Sequence, residues 1–137
     1  MASLLNPYLM FNGTAREAMT RYQEIFGGDL EVMTFGDAGA TGGGPPPPDG
    51  VMHSYLGTPQ GFALMGSDAP PGVEVQPGTT MAVSLSGDDV EDLTRFWEQL
   101  SEGGTIEVPF ERQMWGDTFG QCTDRFGVSW MVNVTSS

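Results

Sequence analysis

The sequence predicts an α+β fold built from two tandem βαβββ modules. Three observations predict it. An apolar helical stripe occurs twice: Ala15, Ala18, Tyr22 and Ile25 match Val90, Leu93, Trp97 and Leu100 at a constant offset of 75. The segment after each stripe repeats too, Gly27-Gly28-Asp29-Leu30-Glu31-Val32 against Gly103-Gly104-Thr105-Ile106-Glu107-Val108, at an offset of 76. Each helical stripe follows one strand-like run and precedes three more. A four-stranded sheet with one helix leaves a face uncovered. Two such units side by side are therefore expected to form one larger curved mixed sheet, with helices outside and a concave apolar cleft inside.

The elements follow in order. Tyr8–Phe11 is the first strand candidate. The first helix opens with Thr14 and Glu17 at capping-box spacing, and Ala15, Ala18, Met19, Tyr22, Ile25 and Phe26 recur at the helical period. Gly27-Gly28 stops it. Strands are expected at Leu30–Phe35, Val51–Leu56 and Phe62–Met65. Gly36–Gly50 is rich in glycine and holds Pro45–Pro48, so it cannot be a regular strand or helix. It reads as a solvated hairpin extension, with a lid as the functional alternative. Pro70, Pro71 and Pro77 mark a linker of about 69–78 between a first module of about 5–68 and a second of about 79–135, all within a single domain, 1–137. The second module starts with a strand candidate at Met81–Leu85. Its helix opens near Asp88-Asp89, with Glu91 following. The helix presents Val90, Leu93, Phe96, Trp97 and Leu100 as its apolar face and ends at Gly103-Gly104. Thr105–Phe110, Phe119–Thr123 and Ser129–Val134 complete the set.

Composition excludes several classes. A chain of 137 residues with 39% hydrophobic content folds without a disulfide or metal staple. No run approaches the ~20 apolar residues of a membrane span, and the first residues show no signal-peptide pattern. The lone Cys122 fits a cytoplasmic setting. Five arginines and no lysine face eighteen acids, for a net charge of −13. Such a surface repels nucleic acid and anionic lipid and leaves a small neutral or cationic ligand, or a protein, as partner.

Few residues carry chemistry. In Val51–Leu56 the alternation sets His53 and Tyr55 on one face and Met52, Ser54 and Leu56 on the other. His53 could act as a general base or hydrogen-bond partner to a ligand; a structural histidine at the sheet is the plainer reading. Cys122 could be a thiol nucleophile, although a buried small apolar residue is the plainer reading. Met65 belongs to a group of nine methionines that could line an adaptable apolar surface or simply fill the core. Trp115-Gly116-Asp117-Thr118, preceded by Glu111 and Arg112, sets an aromatic ring, a carboxylate and a hydroxyl in one loop. That ring could stack a planar ligand or hold a cation over its face, or it could only pin a turn.

Taken together, Pro7-Tyr8-Leu9-Met10-Phe11, Gly13, Glu17-Ala18, Tyr22, Phe26-Gly27, Trp115-Gly116, Phe119-Gly120 and the closing run Asp124–Asn133 resemble the vicinal oxygen chelate superfamily of glyoxalases, bleomycin-resistance proteins and dioxygenases. The nearer resemblance is to its PhnB-like branch, over nearly the whole chain. It implies the tandem βαβββ fold, a homodimer and a cleft for a small molecule. The branch carries a methyltransferase label, but no Gly-rich nucleoside loop follows a strand here. Superfamily enzymes hold a divalent ion through His, Gln and Glu on the first and last strands of each module. Here Asn6–Tyr8 and Met81–Val83 contain no His, and Phe62–Gly66 and Val128–Asn133 contain no Glu or Asp. One histidine cannot build a two-His-one-carboxylate site. The expectation is a protein without metal or cofactor that binds or sequesters a small, cationic or aromatic molecule, through Trp115, Asp117, His53, Tyr55, Arg112, Met65 and Cys122. A glyoxalase- or dioxygenase-like enzyme with a degenerate metal site and a dimeric regulatory module are the alternatives.

Overall fold

A computed structural model describes residues 3, 5–37, 50–70, 73–76, 78 and 80–135. Most of the Gly/Pro-rich segment, 38–49, lies outside the described residues, and with it both the hairpin and the lid readings. The chain divides into two compact units, Met1–Gln76 and Pro77–Ser137. Each runs strand, helix and three strands.

The first unit contains β1 (Tyr8–Phe11), α1 (Ala15–Phe26), β2 (Asp29–Thr34), β3 (Val51–Gly57) and β4 (Ala63–Asp68). Its sheet has the order β1-β4-β3-β2, with β1 parallel to β4 and the other pairs antiparallel. All six apolar residues expected on the inner face of α1 are buried. They pack on Val51, Leu56 and Leu64. Gly66 leaves room on β4 for the Met19 sulfur, since a Cβ there would come within 3.1 Å of it. The expected capping box does not form. Thr14 stands at the N-cap but makes no side-chain cap bond. The buried Asp68 caps the helix from β4 instead. Its Oδ1 accepts from the Ala15 amide at 2.9 Å and its Oδ2 from the Val51 amide at 2.9 Å. Past β4 the chain is tied back to the β1–α1 turn. Asn12 donates from Nδ2 to the Val75 carbonyl at 2.9 Å, and the Val75 amide donates to Asn12 Oδ1 at 2.8 Å.

The second unit repeats the plan with β5 (Val83–Gly87), α2 (Val90–Ser101), β6 (Thr105–Arg112), β7 (Thr118–Thr123) and β8 (Ser129–Val134), in sheet order β5-β8-β7-β6. Asp89 caps α2 by accepting from the Asp92 amide at 3.0 Å. Leu93, Phe96, Trp97 and Leu100 are buried as expected, but Val90 is 60% exposed, because it stands at the first turn beyond the edge of the core. The Trp97 indole stacks on Phe110 at 5.3 Å and lies against Gly120. The two Gly-Gly turns are equivalent in space. A Cβ at Gly28 would overlap the carbonyl of Gly57, and one at Gly104 the carbonyl of Thr123. Only glycine permits these close approaches. Among the described residues, no helix is long and apolar enough to cross a membrane.

Candidate functional site

Each sheet has one face against its helix and one turned away. In β3, Ser54 and Leu56 are buried toward α1, so His53 and Tyr55 lie on the other face. The register sets Tyr8, Met65, Tyr55 and Glu31 abreast across the four strands. His53 stands beside Met33 in the adjacent row, and Met10 lies two residues beyond Tyr8 on the same side. The structure thus brings His53, Tyr55 and Met65 onto one surface of the first unit.

Tyr8 completes this surface. Its hydroxyl lies 3.2 Å from His53 Nδ1, and the two rings stack at 5.8 Å and 29°. When the phenol donates to Nδ1, the imidazole keeps its proton on Nε2, which becomes an outward donor. Sequence reasoning missed Tyr8. The alternation of β1 could have assigned Tyr8 and Met10 to a common face. The pairing of β1 with β4 was the part that local pattern does not contain. The resulting surface is aromatic and rich in thioethers, with one imidazole–phenol pair and a carboxylate, Glu31, on its outer strand. Met10 and Met33 are both 45% exposed there, available to adapt to an apolar ligand.

Trp115 and Asp117 belong to the second unit. Trp115 is 59% exposed, and its ring lies 6.2 Å from that of Phe119. Asp117 Oδ2 accepts from Asn133 Nδ2 at 3.1 Å, and its carbonyl accepts from the Gln113 amide at 2.8 Å. Phe119 and Asn133 are paired across β7 and β8 on the face away from α2. Trp115, Asp117, Phe119 and Asn133 therefore form a second patch. Arg112 stands apart from that patch. It lines a cavity of about 370 Å³ beside the start of α2.

Cys122 is a correction to the expected set. It is fully buried on the α2 side of β7, among the core residues, and cannot meet a ligand on the open face. Burial, helped by the Asp124 and Glu107 carboxylates, pushes its thiol up to about 11. It stays protonated and unreactive at neutral pH.

Chelate chemistry needs several hard donors converging on one ion. Among the described residues no three His, Cys, Asp or Glu side chains are grouped to hold one. The first open face supplies thioethers, phenols, one imidazole and one carboxylate, Glu31, too few hard donors for a divalent cation. The described residues do not fit such an ion.

The sequence model of the family described as 3-demethylubiquinone-9 3-methyltransferase matches residues 3–133. Protein PA1353 from Pseudomonas aeruginosa is 38% identical, over 99% of this chain and 100% of its own, with a TM-score of 0.84. A PhnB protein from Bacillus cereus, carrying the same methyltransferase description, is 22% identical over 97% of this chain and 100% of its own, with a TM-score of 0.76. A glyoxalase/bleomycin resistance protein/dioxygenase family enzyme from Burkholderia phytofirmans is 11% identical over 98% of this chain and 100% of its own, with a TM-score of 0.64. The last two likenesses show the shared fold.

Proposed function

The chain belongs to the 3-demethylubiquinone-9 3-methyltransferase, or PhnB-like, family with the glyoxalase/bleomycin-resistance/dioxygenase fold, and from that premise we propose that it binds a small molecule without a metal. Binding or sequestration, rather than methyl transfer, is the proposed activity. One observation carries the reading: the Tyr8–His53 pair lies on an open sheet face among Met10, Met33, Tyr55 and Met65. Aromatic rings and thioethers favour a planar, polarisable ligand, and the imidazole–phenol pair gives it one directional hydrogen bond. Glu31 and the net charge of −13 favour a cation over an anion. Trp115 and Asp117 offer the same chemistry, a ring and a carboxylate, in the second unit. A cytoplasmic homodimer belongs to the same reading, and light scattering checks the dimer.

The test is fluorescence titration with rhodamine 6G, a planar cation whose ester carbonyl can accept from the imidazole, after metal analysis of protein purified without chelator. The expected result is saturable binding by metal-free protein. His53→Ala and Tyr8→Phe should each weaken it by about tenfold, equivalent to ~1.4 kcal/mol. Unchanged affinity in both variants, or a near-stoichiometric transition metal retained through purification, overturns the reading.

A further inference from the structure

The cavity beside the start of α2 lies in the second unit alone, on the helix side of its sheet. Thr118 pairs with Val134 in the register, and Val134 is buried toward α2. Both line this cavity, so its strand wall is the helix side of the sheet, and Gly116, from the loop that carries Trp115 and Asp117, also lines it. Its volume of about 370 Å³ falls in the range of small-ligand sites.

Two opposite charges stand at this cavity, Asp88 and Arg112. They form no ion pair with each other. Of the five arginines, Arg21 pairs with Glu24 at 3.8 Å, Arg95 with Asp92 at 2.9 Å, and Arg125 donates to the Glu102 carbonyl at 3.0 Å. Arg16 also has a partner. Among the described residues, Arg112 has none, although the chain holds eighteen acids. Asp88 is likewise without a partner among the described residues. The rest of the lining is mixed: Phe110, Val134 and Val90 supply apolar surface, and Thr94, Thr118 and Thr135 supply hydroxyls. Val90 carries the apolar period of α2, is 60% exposed and lines this cavity.

We propose that this cavity binds a small zwitterion, an α-amino acid with an apolar side chain. Its carboxylate takes the fork of donors on the Arg112 guanidinium. Its ammonium meets Asp88, and its side chain lies on Val90, Phe110 and Val134. A zwitterion carries no net charge, so the acidic surface does not repel it as it would a simple carboxylate. Both charged partners are solvent-exposed, so affinity is modest, in the millimolar range.

Calorimetry and amide resonance mapping with leucine, methionine and phenylalanine test the proposal. Saturable binding of at least one is expected, with shifts at Thr94, Phe110 and Thr118 and none at His53 or Tyr55. For the amino acid that binds, its N-acetyl derivative, which lacks the ammonium, and its amide, which lacks the carboxylate, should each bind about tenfold or more weakly. Arg112→Gln should abolish binding, and Asp88→Asn should erase the preference over the N-acetyl form. An unchanged thermal midpoint in both variants separates lost binding from lost folding. No saturable response to any of the three, equal binding of the blocked forms, or wild-type affinity in Arg112→Gln overturns it.

Discussion

Asp124 concentrates three hydrogen bonds on one buried carboxylate. Its Oδ1 accepts from the amides of Phe126 and Val128 at 2.9 and 3.0 Å, and its Oδ2 from the Trp130 indole at 2.8 Å. The run Asp124–Asn133 therefore shapes a turn and seats a core tryptophan. Asp124→Ala should leave three donors without their acceptor and cost about 3 kcal/mol, read from denaturant unfolding. Cys122 gives a pH signature. Its thiol ordinarily titrates at 9.0 and in the fold at about 11. Between those values the unfolded chain has released the proton and the folded chain has not. Stability therefore falls as pH rises from 9.0 to about 11. Cys122→Ala should flatten that stretch of a thermal-midpoint profile relative to wild type. At this scale the candidate site was partly legible. His53 and Tyr55 share a face for a reason internal to one short strand, whereas Met65 joins them through the pairing of β3 with β4. Tyr8 meets His53 across 45 positions of chain, and no local period contains that contact.

At the scale of elements, glycines set how closely helix and strand approach. A Cβ at Gly120 would come within 2.8 Å of the Trp97 ring and 3.0 Å of the Phe110 Cα. Gly120→Ala should push the indole out of its seat and cost about 2 kcal/mol, seen as a lower midpoint in urea unfolding. The helices were legible because Ala15–Phe26 and Val90–Ser101 carry an apolar period between clear stops. Strand ends were less so. β4 runs on to Asp68 and β5 starts at Val83, not Met81, because parallel pairing of first and last strands fixes those ends. The cap on α1 was misassigned for the same kind of reason. Thr14 has the right spacing, but Asp68, 53 residues away, reaches the Ala15 amide. Asp68→Ala should remove both buried bonds and destabilise the first unit by about 2 kcal/mol, checked by calorimetric unfolding.

For the whole molecule, eighteen acids against five arginines make self-repulsion the dominant long-range force. Raising ionic strength to about 0.15 M shortens the screening length to roughly 8 Å and should raise the thermal midpoint steadily. A midpoint that is flat or falls with sodium chloride would show that local pairs outweigh the global charge. The tie between Asn12 and Val75 acts over a similar reach of chain, 63 positions. Val75 belongs to no strand or helix, yet its amide proton is held by the turn that leads into α1. That proton can trade with solvent deuterium only when the turn lets go, so its exchange rate times the opening of the β1–α1 junction from a residue next to the boundary at Gln76.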